Sequence, residues 1–417
     1  MPEPRRDTHG GALPEREPHR AADRHGGKIR EAAERLGVAP EELLDFSANV
    51  SFLAPTAAMR EAAAGALARA GWYPEERPEE LRRLAADFLS VPPERVLLGN
   101  GASELIFLVV AALAPRRVLV LRPAFTEYER AAEAWGAAID SVQMPEERDF
   151  RPTWNDLEEQ GFPAKLRNAD LLFLCEPNNP TGTLLERDVR DRILVEAAKA
   201  GTAVLVDESF LAFTQAWPQG SALRAPGRAA RRAEDESVGS RLFVLHSLTK
   251  LLAIPGLRVG ALTVPEGQIE AMSRRLPPWN INCVAAAAAV AGLSDSPLIK
   301  QTAAAVREVR EPLREALGRL PGIDAVLPGE ANFLCVHLKR PVAQDLTEAT
   351  LEQGVLIRDL TDFPGLDGRY FRVAVRSAEE NQRLLRALRS ALGALGERTE
   401  EQENFGSLPR PVAEVGQ

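Results

Sequence analysis

Short apolar runs alternate with alanine- and leucine-rich helical stretches through most of the chain, and this alternation limits the fold more than any other feature. A run that is apolar throughout predicts a strand buried on both faces, and the stretch Val189–Ala200 between two such runs has helical periodicity. Strands separated by helices form a mostly parallel sheet covered on both faces, so the predicted fold class is α/β. The predicted strands are Val96–Leu98, Arg117–Leu121, Leu171–Cys175, Ala203–Val206 and Leu242–Leu245.

Composition and charge argue against several classes of protein. The 60 acidic and 51 basic residues give a net charge of -9 without a long basic block, so we expect no nucleic-acid and no membrane partner. The longest apolar runs, Leu105–Ala114 and Val284–Leu293, are too short to span a bilayer and predict buried elements. The polar N-terminus predicts no secretory signal, and the three cysteines lack metal-ligand spacing. We therefore expect a cytoplasmic protein with reduced core thiols and no metal site.

A lysine follows the predicted strand Leu242–Leu245, in the sequence Ser247-Leu248-Thr249-Lys250, and Arg258 lies eight residues further on. A lysine at a strand end can form an imine with an aldehyde cofactor if its surroundings lower its pKa. A nearby hydroxyl and guanidinium suit a phosphate monoester. Taken alone, however, this pattern is more typical of a surface lysine.

Three other polar motifs also follow predicted strands, where parallel sheets bind their ligands. Pro177–Gly182 is typical of a turn, although its Asn179 could donate a hydrogen bond to a ring oxygen. Asp207 could pair with a protonated pyridine nitrogen or serve as a helix N-cap. Gly99–Glu104 precedes an apolar helix, whose first N–H groups could bind a phosphate.

The order of these motifs along the chain resembles the fold-type I pyridoxal-phosphate (PLP) enzymes, the aspartate aminotransferase superfamily, over roughly residues 25 to 395. The resemblance implies that Lys250 is the Schiff-base lysine, that Asp207 pairs with the pyridine nitrogen, and that Asn179 donates to the ring 3-oxygen. These three residues are the predicted catalytic set. The cofactor implied is pyridoxal 5′-phosphate.

The same resemblance implies the remaining contacts to the cofactor. Phe125 stacks on the pyridine ring, and Phe210 replaces a tyrosine usual in aminotransferases, which removes one donor to the ring oxygen. Tyr73 resembles the tyrosine that reaches the phosphate of a neighbouring subunit, so a homodimer is expected. Ala102, Ser103, Ser247 and Arg258 would hold the phosphate, and Gly101 and Thr249 complete the cofactor-binding set.

Four stretches resemble a narrower family, the L-threonine-O-3-phosphate decarboxylases of cobalamin biosynthesis, which are related to the histidinol-phosphate aminotransferases. These stretches are His25–Glu31, Leu44–Asn49, Ser247–Arg258 and Tyr370–Ser377. The chain departs from that family at Ser51-Phe52, where Asn-Pro is usual, and at Lys28, Ala102 and His246, where asparagine, a larger polar residue and arginine are common. The loop between Asp207 and Lys250 is also longer than usual, so the substrate is less firmly indicated than the cofactor.

The narrower resemblance implies a small phosphorylated amino acid as substrate, with CO2 and (R)-1-amino-2-propanol O-phosphate as products. Arg372, with Asn49 and Asn179, would bind the substrate carboxylate. His25, Arg358 and Arg376 are the candidates for its phosphate, although Arg358 could be a surface arginine and His25 a solvent-facing histidine. The alternatives for the function are a histidinol-phosphate or related amino-acid aminotransferase, and a PLP-binding regulator without turnover.

The predicted organisation is a large cofactor domain over residues 55–290 and a small α+β domain over residues 291–395. An N-terminal arm, residues 23–54, joins the small domain, and residues 1–22 and 396–417 form polar tails. The resemblance implies a mostly parallel sheet of seven strands in the large domain. Strands in the small domain are predicted at Ile323–Leu327, Asn332–Leu338 and Val355–Asp359, and Gly220–Ser240 is predicted to be an exposed insertion loop.

Overall fold

The computed structural model describes residues 26–224 and 238–406. Its strands are β1 (Leu44–Asp45), β2 (Val96–Gly99), β3 (Arg117–Arg122), β4 (Ala138–Gln143), β5 (Leu171–Cys175), β6 (Ala203–Asp207), β7 (Leu242–His246), β8 (Gly260–Thr263), β9 (Ile323–Val326), β10 (Phe333–Leu338), β11 (Val355–Leu356), β12 (Arg358–Asp359) and β13 (Tyr370–Ala374). Its helices are α1 (Ile29–Leu36), α2 (Ala57–Leu67), α3 (Glu79–Leu89), α4 (Ala102–Leu113), α5 (Glu127–Ala134), α6 (Trp154–Glu159), α7 (Phe162–Asn168), α8 (Arg187–Ala200), α9 (Leu248–Leu251), α10 (Ile269–Ser273), α11 (Cys283–Ser294), α12 (Ser296–Gly318), α13 (Ala343–Leu351) and α14 (Ala378–Gly406).

Seven strands form the central sheet, in the order β2-β8-β7-β6-β5-β3-β4. The pairs from β7 through β6, β5 and β3 to β4 are parallel, and only β8 runs antiparallel to its neighbours. The predicted mostly parallel sheet of seven strands is therefore confirmed. Because β2 and β7 both run opposite to β8, the carboxyl ends of β2, β3, β5, β6 and β7 meet at one edge of the sheet.

Both faces of this sheet are buried, as the apolar strands predict. Along β5, Leu172 and Leu174 belong to a core cluster that also contains side chains of α6, α7 and α8. Leu171 and Phe173 belong to a second cluster, which contains side chains of α4 and α5. Since successive side chains of a strand point to opposite faces, helices cover the sheet on both sides.

A second, antiparallel sheet of four strands has the order β12-β13-β10-β9. The short strand β1 pairs in parallel with β11, so the N-terminal segment is joined to a strand more than 300 residues later. The predicted strand Val355–Asp359 forms two short strands, β11 and β12, with Ile357 between them. The domain limits at residues 54/55 and 290/291 stay a prediction.

Two strands of the central sheet have no counterpart among the sequence predictions. The strand β4 lies at the edge of the sheet and mixes exposed with apolar positions, so it lacks the continuous apolar pattern. The strand β8 has only four residues and begins with a glycine. Short or half-exposed strands carry little signal in a single sequence, because tertiary pairing rather than composition defines them.

Most of the predicted exposed loop Gly220–Ser240 lies outside the described residues, and the structure shows only its two ends. Ser221 and Ala222 are buried, and so is Val238, while residues 225–237 lie outside the described part of the chain. Both described ends of the segment are therefore anchored in the protein.

Two of the three cysteines, Cys175 and Cys335, are buried free thiols, and Cys283 is a half-buried one. Among the residues described, no single helix is both long and apolar enough to cross a membrane; α11 and α12 meet that test only as a pair, with a bend of 77° between them.

Candidate active site

Lys250 lies one turn beyond β7, in the short helix α9, between two aromatic rings. Its Nζ is 4.3 Å from the ring centre of Phe210 and 5.9 Å from that of Phe125. Burial lowers the pKa of Lys250, while the negative charge of Asp207 acts in the opposite direction. A lowered pKa provides the unprotonated amine that a nucleophile needs, so the environment differs from that of a surface lysine.

Asp207 is the last residue of β6, and its carboxylate is buried and fully engaged. One oxygen, Oδ2, accepts a hydrogen bond of 2.7 Å from the Tyr128 hydroxyl, and Oδ1 accepts one of 2.9 Å from the Ser209 N–H. No α-helix begins at Asp207 in the described chain, so the helix N-cap alternative is wrong. Burial, and then Asp207, raises the pKa of Tyr128, which keeps its hydroxyl protonated as a donor.

The partner Tyr128 was not among the predicted site residues. It lies on α5 and stacks on Phe173 of β5, with ring centres 5.0 Å apart. Its hydrogen bond to Asp207 joins residues 79 positions apart. The sequence indicated Tyr128 only through its position: it lies three residues after Phe125, in the first turn of the helix that follows β3.

The N-terminus of α4 forms a cradle with Arg258. Gly101 precedes the helix with φ of 82° and provides no side-chain cap, so the first helical N–H groups stay available for an anion. A Cβ atom at Gly101 would collide with the Arg258 guanidinium, and one at Gly260 would lie 2.8 Å from the Ala102 nitrogen. The backbone and the guanidinium therefore meet where a phosphate needs both kinds of donor.

The predicted hydroxyl groups near this cradle differ in their surroundings. Ser247 is buried and begins α9 without a side-chain cap. The Thr249 hydroxyl instead donates to the Val259 carbonyl at 2.9 Å and accepts from the Val259 N–H at 3.1 Å. These two bonds of Thr249 hold the loop that carries Arg258. Ser103, the other predicted hydroxyl, follows Ala102 in the first turn of α4.

These groups fit pyridoxal 5′-phosphate on chemical grounds. A half-buried amine near two aromatic rings suits an aldehyde on a flat ring, and the buried carboxylate of Asp207 suits a protonated ring nitrogen. The uncapped helix N-terminus and Arg258 suit the phosphate. We find no other described part of the chain in which all of these groups meet.

Arg372, on β13, is brought together with both predicted partners. Its Nη1 donates to Asn179 Oδ1, and its Nη2 donates to the Ser47 carbonyl at 3.1 Å. In the amide orientation that satisfies both side chains, the Asn49 oxygen lies 3.2 Å from Nε and 3.1 Å from Nη1 of Arg372. Burial, followed by the charge of Arg358, lowers the pKa of Arg372 to about 9, so the guanidinium is still charged at neutral pH.

Arg358 is the direct cross-strand neighbour of Arg372 in the small sheet. It is only 8% exposed, so the alternative of a surface arginine is wrong. Its Nη2 donates to both carboxylate oxygens of Asp362, at 2.9 and 2.7 Å. The side chains of Arg358 and Asp362 line a cavity of about 600 Å³, to which Lys28 and Arg35 also contribute.

Of the remaining predicted site residues, Arg376 has partners outside this arrangement, Tyr73 lies at the surface, and His25 is not described. His25 lies outside the described residues. The Arg376 guanidinium is paired with Glu380 at 2.6 Å and donates to the Asp45 carbonyl at 3.3 Å, so it joins α14 to the N-terminal segment. Tyr73 is 81% exposed and packs on Trp279, with ring centres 4.6 Å apart.

The chain matches the family described as aminotransferase class I and II over residues 41–388. It is 38% identical over 369 residues to a threonine-phosphate decarboxylase of Salmonella typhimurium, which covers 88% of this chain and 96% of the relative. It is 32% identical to a histidinol-phosphate aminotransferase of Symbiobacterium thermophilum, covering 88% and 95% of the two chains. The crystal structure of the histidinol-phosphate aminotransferase from Clostridium acetobutylicum superposes with a TM-score of 0.74 at 26% identity, covering 84% of this chain and all of that one.

Proposed function

Since this chain belongs to the class I and II aminotransferase family, we propose that it is the member that removes CO2 from L-threonine O-3-phosphate. The product would be (R)-1-amino-2-propanol O-phosphate, a step of cobalamin biosynthesis. The chain is a PLP-dependent enzyme of the fold that its central sheet displays. The choice of decarboxylation is supported by 38% identity to the decarboxylase, compared with 32% to the aminotransferase.

PLP, when bound, accepts the electron pair that remains when a bond to the substrate Cα breaks. The amine of Lys250, which lies beside the Phe210 ring, would bind the cofactor aldehyde and would return a proton to Cα after CO2 leaves. Asp207, held by Tyr128, would keep the ring nitrogen protonated. Phe125 and Phe210, whose rings both lie near the Lys250 amine, would hold the ring and exclude water from it.

The two neighbouring arginines of the small sheet are the structural feature that best supports this substrate. Arg372, with Asn49 and Asn179, would bind the carboxylate, since its planar fork matches two oxygens. Arg358, its cross-strand neighbour, would bind the phosphate at the cavity that Lys28 also lines. A substrate clamped at both anionic ends presents one fixed Cα bond to the ring, and the bond held perpendicular to the ring is the one that breaks.

Amino transfer from histidinol phosphate is the second candidate function. It is favoured by the TM-score of 0.74 to an aminotransferase of that kind. The position of Phe210 favours the decarboxylase, because its ring lies over Lys250 without the hydroxyl of the tyrosine usual in aminotransferases. An aminotransferase would use nearly the same cofactor groups, so only the products distinguish the two.

The homodimer, the domain limits and a cytoplasmic location belong to the same proposal. Trp72 and Tyr73 are 72% and 81% exposed, and Trp279 packs on Tyr73, which makes an aromatic patch typical of a subunit contact. Tyr73 would reach the cofactor phosphate of the partner from this patch. The three free cysteines are compatible with a reducing compartment.

The test is a product assay of PLP-loaded protein with L-threonine O-3-phosphate and no keto acid. The proposal expects equal amounts of CO2 and aminopropanol phosphate. Absence of both products, together with amino transfer from histidinol phosphate to 2-oxoglutarate, would replace the decarboxylase with the aminotransferase. Spectral change on PLP binding without turnover of either substrate would favour the regulator.

A further inference from the structure

A buried carboxylate and a buried imidazole lie directly beside the cofactor residues, and the mechanism above uses neither. Glu208 follows Asp207 at the end of β6, and His246 precedes Ser247 at the end of β7. Their side chains are 1% and 3% exposed, and His246 Nε2 lies 3.2 Å from Glu208 Oε2. Charged groups are rarely this buried unless they are paired.

Glu208 is held by three groups from different parts of the chain. Besides His246, its Oε2 accepts a hydrogen bond of 2.7 Å from the Ser221 hydroxyl. Its Oε1 accepts one of 2.6 Å from the Ala222 N–H. Two segments therefore converge on this one carboxylate: the end of β7, and the chain at residues 221–222.

His246 has apolar surroundings on its other sides. Its ring packs edge-on to Trp217, with centres 5.6 Å apart, and to Phe88, with centres 6.3 Å apart. In the described chain neither Nδ1 nor Nε2 of His246 has a hydrogen-bond partner of normal geometry. The approach of Nε2 to Glu208 Oε2, at 3.2 Å, is therefore a close polar contact through which this ring faces the end of β6.

The pair lies behind the cofactor residues rather than in contact with the cofactor. Side chains alternate between the faces of a strand, so Glu208 points away from the face to which Asp207 points. The Glu208 N–H donates to the Leu245 carbonyl at 2.8 Å, which continues the pairing of β6 with β7 to their ends. A contact between Glu208 and His246 closes the same two strand ends through their side chains.

We propose that Glu208 and His246 are a positioning pair, which fixes the distance between the two strand ends and thereby places Asp207 and Ser247 for the cofactor. Asp207 is expected to contact the ring nitrogen, and Ser247 the phosphate, at opposite ends of the same molecule. A change in the separation of these strand ends would loosen both contacts together. An arginine at the position of His246 could place a guanidinium against the same carboxylate.

The test compares cofactor binding by Glu208→Gln, His246→Ala, His246→Arg and the double variant E208Q/H246A. Three quantities are measured: the PLP dissociation constant, the absorption spectrum of the bound cofactor, and the melting temperature. We expect Glu208→Gln and His246→Ala each to weaken PLP binding about tenfold and to alter the spectrum. The double variant should be no worse than either single one, because both lose the same contact.

Two variants serve as controls. His246→Arg should restore both the affinity and the spectrum, since a guanidinium can donate hydrogen bonds to the same carboxylate. Ser221→Ala removes a Glu208 partner away from the strand ends, so its PLP affinity should stay within about twofold of the parent.

Unchanged PLP affinity and spectrum, with only a lower melting temperature, would overturn the proposal and leave a purely structural pair. An equal loss of affinity in Ser221→Ala would also overturn it, because the effect would then belong to residues 221–222. If Glu208→Gln and His246→Ala do not fold, the test compares His246→Gln with His246→Leu. The glutamine amide can donate a hydrogen bond to Glu208, so His246→Gln should preserve PLP binding better than His246→Leu.

Discussion

Around Lys250, the functional groups come from strand ends of a single sheet, whereas around Arg358 they come from separate parts of the chain. We call Gly101, Phe125, Asp207, Lys250 and Arg258 the cofactor end. Asp207 is the last residue of β6, and the others follow β2, β3, β7 and the helix α9. We call Asn49, Arg358, Asp362 and Arg372 the substrate end. It combines the N-terminal segment with the small antiparallel sheet.

The two ends also differ in how their charges are satisfied. At the cofactor end, Asp207 is held by Tyr128, and Arg258 lies over an uncapped helix, so the pocket is arranged before a ligand binds. At the substrate end, Arg358 is already paired with Asp362, and a phosphate would have to replace that carboxylate. The cofactor end therefore identifies the family, while the choice of substrate depends on ion pairs that can be exchanged.

The largest effect is expected when the amine at the cofactor end is removed. Lys250→Ala should lower kcat at least about a thousandfold, because the residue both binds the cofactor and returns a proton to Cα. Steady-state decarboxylation by PLP-loaded protein measures it. Lys300→Ala, on the surface of α12, is the matched control and should be indistinguishable from the parent. Turnover by Lys250→Ala near the parental rate would contradict the assignment.

A separate, smaller effect is expected at the substrate end. Arg358→Gln should raise KM for L-threonine O-3-phosphate about 10- to 100-fold, since a charged hydrogen bond contributes about 1.5–3 kcal/mol. Its PLP dissociation constant should be unchanged if the two ends are independent. Arg35→Gln, which changes an exposed arginine of the same cavity, should move KM by no more than a few-fold. A parallel loss of PLP affinity in Arg358→Gln would break the distinction between the two ends.

Removing the hydroxyl that holds Asp207 should have a still smaller effect, confined to the cofactor end. Tyr128→Phe should weaken PLP binding about tenfold, because it takes one hydrogen bond from a buried carboxylate. KM for the substrate should change little once PLP is saturating. Tyr370→Phe removes the hydroxyl of another buried tyrosine, whose ring stacks on His337 instead, and PLP affinity should be kept. Equal losses in the two variants would contradict a specific role for Tyr128.

The smallest effect concerns the pH dependence of stability. Burial raises the pKa of Glu176, next to the turn that carries Asn179, to about 8. As pH rises, the Glu176 carboxyl therefore loses its proton in the unfolded chain before it does so in the folded protein. Its contribution to stability is full below the ordinary pKa of a glutamate, and it falls as the pH rises to about 8. Between about pH 5 and about pH 8.5, the free energy of unfolding of Glu176→Gln should increase relative to that of the parent by about 1 kcal/mol or more.

Urea unfolding at saturating PLP measures this difference. Glu270→Gln, which changes an exposed carboxyl on α10, should show no such trend. A constant gap between Glu176→Gln and the parent at both pH values would mean that Glu176 is ionised throughout.

Much of the cofactor end could be predicted from the sequence, because each residue follows a continuous apolar run and the runs define the strands. Asp207 and Lys250 were placed in this way, and the structure brings them to one edge of the sheet. The partners of these residues could not be predicted. Tyr128 is 79 positions from Asp207, and its hydrogen bond depends on how α5 packs against the sheet.

The substrate end was predicted only in part, and for a related reason. The register of two short antiparallel strands makes Arg358 and Arg372 neighbours, and the pairing of Arg358 with Asp362 follows from the loop after β12. The pairing of Arg376 with Glu380 joins a residue just before α14 to one in its first turn, four positions later. Side-chain partners across loops and sheets are set by packing, which leaves no periodic trace in the sequence.

The most direct test of the cofactor end is to reduce PLP-loaded protein with borohydride, which fixes the cofactor on the lysine that binds it, and to identify that lysine by peptide mass spectrometry. The account predicts the label on Lys250, in the peptide that follows β7, and no preference for Lys250 in protein denatured before PLP is added at the same concentration. A label on any other lysine, with Lys250 unmodified, would contradict it.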